Sequence, residues 1–107
     1  MGGTPIELFW RGYRMSHLIE HHNEELIKRL NKIEGQVVGI KKMVNSNKDY
    51  ADILIQLNSA RSAIQKISQI LLEAQADHSL MHVSEGADLL EEMDHLKRVI
   101  TQYNKMN

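Results

Sequence analysis

His78 and His82 stand four residues apart. On a helix that spacing points both rings the same way, about one turn apart, which suits a single metal ion. A third donor would have to come from elsewhere in the chain, and His17, His21 and His22 cluster ahead of the first apolar stripe. The competing reading makes His78 an ordinary member of a core stripe and leaves His82 in solvent. A second chemistry lies in the charges. Between Lys28 and Lys48 the chain carries Lys28, Arg29, Lys32, Lys41, Lys42 and Lys48 against one acid, Glu34. Such bases contact phosphates, with an affinity that falls steeply with salt.

Between Leu71 and His95 the pattern inverts. Glu73, Asp77, Glu85, Asp88, Glu91, Glu92 and Asp94 meet no Lys or Arg. The totals, 13 basic and 14 acidic residues, conceal this segregation. Nothing orders Glu34, Glu73 and Glu92 into an acid–base pair, and they read as surface charge. No phosphate loop or nucleophile motif is present, so an enzyme is not expected. Cysteine is absent, which excludes disulfides and thiol chemistry. No apolar run approaches a membrane span and no signal-peptide pattern opens the chain, so a cytoplasmic protein is expected.

These residues must be positioned by helices. A chain of 107 residues is one domain by length. Leu26, Leu30, Ile33, Val37, Ile40 and Val44 alternate four- and three-residue steps, predicting a helix from about His17 or Glu24 to Val44. Asn45, Ser46 and Asn47 end it. Ile53, Leu57, Ala60, Ile64, Ile67, Leu71, Ala74, His78 and Met81 predict a second from about Asp49 to Val83, roughly 50 Å long at ~1.5 Å per residue. Ser84 is the expected cap of the next helix and Gly86 lies in the break. Leu89, Met93, Leu96, Ile100 and Tyr103 predict a third from about Ala87 to Tyr103. Gly35 and Gly39 sit one turn apart inside the first helix, and tight helix packing is the expected reason. Long stripes with a 3.5-residue repeat want partner helices, so an antiparallel helical pair that oligomerises is expected.

The segment R-L-N-K-I-E-G-Q-V-V-G-I-K-K-M-V, Arg29 to Val44, precedes D-Y-A-D-I-L-I-Q-L-N-S-A-R-S-A-I, Asp49 to Ile64. Together they strongly resemble the copper-sensing operon repressor family of bacterial regulators, over roughly residues 15 to 103. The K-I-x-G-Q-V-V-x-x-K-K-M stretch and Met15-Ser16-His17 look most like its nickel/cobalt branch. The resemblance implies an all-α, three-helix protomer with long antiparallel helices 1 and 2. These pair as a four-helix-bundle dimer, and dimers join as a tetramer. It also implies binding to double-stranded operator DNA through a basic face, relieved by an inducer at the dimer interface. The basic positions of the family fall at Arg29, Lys32, Arg61 and Lys66, and Lys41 and Lys42 extend the charge. Val38 replaces an Arg common in the family, as it also does in the nickel/cobalt branch.

The family inducer ligands, a Cys and then a His and a Cys or two His, map onto Tyr50, Gln75 and Ser79. A phenol, an amide and a hydroxyl are poor transition-metal donors, so copper(I) sensing there is not expected. Two other readings stand open. The metal site has moved to His78 and His82 with an N-terminal histidine such as His17, taking nickel, cobalt or zinc rather than copper. Or Tyr50, Gln75 and Ser79 line a polar pocket for an organic effector. Residues 1–16, with Phe9, Trp10 and Tyr13, read as a flexible extension, and residues 17–107 as the repressor domain. The alternative to a repressor is a helical interaction module that has lost DNA binding.

Overall fold

The computed structural model describes the backbone of residues 5–106 and the side chains of residues 22–106. Three helices follow one another: α1 (Pro5–Asn45), α2 (Tyr50–Ser84) and α3 (Leu89–Met106). Helix α1 starts well before the expected His17 or Glu24. Its only proline stands at the first position, where a missing N–H costs nothing. The apolar stripe that marks the helix in the sequence begins only at Leu26, which is why the earlier start was not legible.

The two turns are built alike. Asn47 (φ 56°) and Gly86 (φ 98°) hold the left-handed conformation just past α1 and α2. After α1, the Lys48 amide reaches Met43 O (3.0 Å) and that of Asn47 reaches Val44 O (3.2 Å). After α2, Ala87 N donates to His82 O (2.9 Å) and Gly86 N to Val83 O (3.1 Å). Both are Schellman closures, which satisfy the orphan carbonyls of a helix end. Two residues on, an aspartate starts the next helix. Asp49 accepts from Ala51 N (3.3 Å), and Asp88 accepts from Leu90 N (3.0 Å). The cap of α3 is therefore Asp88, not Ser84. The Ser84 hydroxyl donates backward to Met81 O (2.7 Å) within α2.

Helix α2 lies between the other two, antiparallel to both, and α1 does not pack on α3 among the described residues. The molecule measures 65 × 26 × 13 Å, one helix thick. Its radius of gyration, 19.2 Å, far exceeds the ~13 Å of a compact 100-residue domain. A single layer buries only the seams between helices: Ile33, Ala60, Ile67, Ile70 and Ala74. Leu57, Ile64 and Leu71, which belong to the α2 stripe, stay between 42% and 48% exposed. Ile70, off that stripe, is the most buried of the described residues at 5% exposure. The stripe is wider than either seam, and its remainder faces outward with Leu30 and Val37 of α1.

Gly35 and Gly39 of α1 do not serve packing within the protomer. A Cβ at Gly35 or Gly39 would meet nothing within 4 Å. No described helix is long and apolar enough to cross a membrane.

Candidate nucleic-acid interface and histidine cluster

The seam between α1 and α2 has two sides. On one, Arg29, Lys32 and Gln36 face Ser59 and Ala63 across a groove. Gln36 Nε2 donates to Ser59 Oγ at 2.8 Å and locks the register of the two helices there. Lys66 is exposed three residues beyond Ala63, on the same side of α2 by helical register. On the other side, Lys41 and Arg61 flank a groove floored by Val37, Leu57 and Ile64. Lys42 lies in the last turn of α1 and is exposed. The six bases singled out from the sequence thus do not share one face of a protomer. Arg29, Lys32 and Lys66 go together, and Lys41 and Arg61 lie across the seam from them.

Arg29 is not idle in the free protein. Its Nε and Nη2 both donate to Glu25 Oε1, at 3.2 and 3.1 Å, one turn back on α1. Both side chains are over a third exposed, so the pair adds little stability. It does orient the guanidinium at the groove edge, and the planar fork of that group suits phosphate as well as carboxylate.

At the other end of the helices the structure gathers a second group. The His78 ring lies 6.4 Å from that of His22 on α1 and 6.4 Å from that of His82, centroid to centroid. His82 Nδ1 stands 3.1 Å from Glu92 Oε1 on α3, and His95 Nδ1 stands 3.8 Å from Glu92 Oε2. Glu92 is 7% exposed. The sequence reading of Glu92 as surface charge is overturned, because it lies on the α3 face that packs on α2. Glu92 Oε2 and His78 Nε2 are buried without a hydrogen-bond partner. Burial among apolar atoms, followed by repulsion from His22 and His82, lowers the pKa of His78, while Asp77 and Glu92 oppose the shift. The same causes favour the neutral form of the His78 imidazole over the charged one. Among the described residues no group of three or more His, Asp or Glu side chains is placed so that it could hold a metal ion. The side chains of His17 and His21 lie outside the described residues.

The positions that carry the inducer ligands in the resembled family are put to another use. Gln75 Nε2 donates to Ser79 Oγ (2.9 Å), and Ser79 Oγ donates to the backbone oxygen of Glu92 (3.4 Å). Ser79 is buried, and the chain of bonds ties α2 to α3. Tyr50 stands at the opposite end of α2, 84% exposed and about 37 Å from Gln75 at ~1.5 Å per residue. Within one protomer Tyr50, Gln75 and Ser79 do not meet.

Residues 22–102 match the model of a family described as "Metal-sensitive transcriptional repressor". The chain belongs to that family. The metal-sensitive repressors it resembles include the copper-sensing transcriptional repressor CsoR of Bacillus subtilis, 29% identical over 91 residues, 85% of this chain and 90% of that protein. The transcriptional repressor RcnR of Salmonella typhimurium is 30% identical over 91 residues, 85% of this chain and 100% of the relative. The solved structure of the nickel-responsive transcriptional regulator InrS superposes with a TM-score of 0.70 at 25% identity, covering 75% of this chain and 90% of that one. The all-α, three-helix protomer expected from the sequence is therefore the fold of a metal-sensitive repressor.

Sequence reasoning singled out Arg29 and Lys32, which line one groove, and His78 and His82, whose rings are neighbours. It missed Glu92 and His95 as neighbours of the histidines, although their i, i+3 spacing on α3 and their place opposite the end of α2 were a usable signal. It also missed Glu25, whose i, i+4 spacing to Arg29 was legible.

Proposed function

We propose that this metal-sensitive repressor binds double-stranded operator DNA through the groove lined by Arg29 and Lys32, with Lys66 on the same side, and that Lys41, Lys42 and Arg61 add phosphate contacts only in an assembled oligomer. The observation that carries this reading is the placement of Arg29 and Lys32 on one edge of the α1–α2 seam, facing small Ser59 and Ala63 that leave room for a phosphate backbone. The bases position the protein on the duplex by charge.

The oligomer is a homodimer through the outward apolar faces of α1 and α2, and dimers pair as tetramers. The half-exposed Leu30, Val37, Leu57, Ile64 and Leu71 support it, since a lone protomer leaves them in water. The inducer is a divalent transition ion, nickel, cobalt or zinc rather than copper(I). It acts through His78 and His82, helped by a histidine near the start of the chain such as His17. The hydrogen bonds that engage Gln75 and Ser79 argue against both a metal and an organic effector at the family position with Tyr50. A cytoplasmic site of action goes with this role.

The test is binding of the full chain to DNA from upstream of its own gene at two salt concentrations, with and without nickel, cobalt, zinc and copper. The expected result is tight, salt-sensitive binding relieved by one divalent ion. Binding no stronger than that of an acidic control protein overturns the reading in favour of an interaction module.

A further inference from the structure

Resting on that reading of a repressor on operator DNA, we infer that Gln36 is the base-reading residue of the groove lined by Arg29 and Lys32, and that its side-chain amide takes the adenine of an A·T pair in the major groove. Arg29 and Lys32 beside it hold phosphate, which fixes register but carries no sequence information. Gln36 supplies the discrimination.

Arg29, Lys32 and Gln36 follow one another at three- and four-residue steps, so they share one face of α1. Gln36 is half-buried, and its Nε2 donates to Ser59 Oγ of α2 at 2.8 Å. The second helix thus holds the amide in place, and less side-chain freedom remains to be lost on binding. That bond engages one of the two N–H groups of the amide. The other N–H and the carbonyl oxygen make no hydrogen bond among the described residues. A donor beside an acceptor is the wrong pattern for phosphate, whose oxygens only accept and would leave the carbonyl facing an anion. In the major groove adenine offers the complement, an N6 donor beside the N7 acceptor. Guanine presents two acceptors there, cytosine a donor and thymine an acceptor, so none of them satisfies both atoms of the amide. The surroundings leave room for a base edge. Ser59 and Ala63 are small side chains across the groove. Three residues along α1, Gly39 has no side chain, and a Cβ there would meet nothing within 4 Å.

The test is anisotropy titration of the full chain with a labelled duplex from upstream of its own gene, with that duplex carrying each base-pair replacement in turn, and with a scrambled duplex. Replacing at least one A·T pair should weaken wild-type binding about 5- to 100-fold. Gln36→Ala should bind the native duplex and that replaced duplex equally, with an unchanged slope of log affinity against log salt. Gln36→Glu keeps acceptors and loses the donor. Its preference at that pair should move from A·T to C·G, because a carboxylate accepts from cytosine N4. Ser59→Ala frees the amide and should narrow the discrimination without erasing it. Circular dichroism checks that each variant folds, and should Gln36→Ala unfold, the preference of Gln36→Glu decides. Equal loss of affinity by Gln36→Ala for native and scrambled duplexes would put the amide on phosphate and overturn the inference. So would discrimination that matches the wild type at every position. Either result leaves the repressor reading standing. Wild-type binding no tighter to the native than to the scrambled duplex sinks the operator reading and takes Gln36 with it.

Discussion

The Nδ1 atom of His82 lies 3.1 Å from the Oε1 of Glu92, bridging the last turn of α2 to the first turn of α3 at a residue that is 7% exposed. Together with the Ser79 hydroxyl on the Glu92 carbonyl, it makes one residue of α3 the polar anchor of the α2–α3 seam. Glu92→Ala leaves both the imidazole and the cavity unsatisfied. It should lower stability by about 1–3 kcal/mol, read as a drop in the urea midpoint. An unchanged midpoint would mean that the apolar contacts of α3 alone hold it.

The His78 environment has a pH consequence in the metal-free protein. Its folded pKa is lowered below 6.5, chiefly by burial. The unfolded chain therefore binds its proton first as pH falls. The stability that depends on neutral His78 is fully present above about 6.5, is lost as pH falls from there through the folded value, and levels off below it. The imidazole resonance of His78, followed by NMR, should titrate with a midpoint below 6.5. A midpoint at or above 6.5 contradicts the buried placement.

The three helices were legible because Leu26 to Val44 and Ile53 to Met81 repeat at helical spacing, and because breakers fall between them. The seams were less legible. Leu57 and Ile64 share a stripe with Ala60 and Ile67, and periodicity cannot say which edge of a wide stripe a partner covers. Ser84 and Asp88 are both competent caps, and the choice was made by Gly86 taking the left-handed position two residues before Asp88. The basic residues were legible as a composition, but not as a surface, because Lys32 and Lys41 leave α1 on different sides of the seam. Glu92 was opaque since its burial depends on α3 folding back along α2, which no local pattern encodes.

The glycines of α1 give a stability prediction of opposite sign. No atom of the protomer would meet a Cβ at Gly35 or Gly39. Replacing glycine by alanine inside a helix is favourable by roughly 1 kcal/mol. Gly39→Ala should raise the melting temperature of the protein. Destabilisation would instead show that another copy of the chain approaches the backbone there in the assembled protein. At Gly86, with φ 98°, alanine is strained, and Gly86→Ala should lower the melting temperature.

The pairing of Arg29 with Glu25 sets the final prediction. A phosphate must take the guanidinium from a carboxylate that already holds two of its N–H groups. Glu25→Gln removes a negative charge from the edge of the groove and weakens the competitor, so DNA binding should tighten. Arg29→Ala, Lys32→Ala and Lys66→Ala should each weaken it and reduce the slope of log affinity against log salt by about one. Lys41→Ala and Arg61→Ala, across the seam, should change the slope less. Anisotropy titrations with a labelled duplex from upstream of the gene, repeated over a range of salt, read all six variants. Equal slopes for Arg29→Ala and the wild type would remove this groove from the DNA interface, whatever the affinity of the protein for its operator.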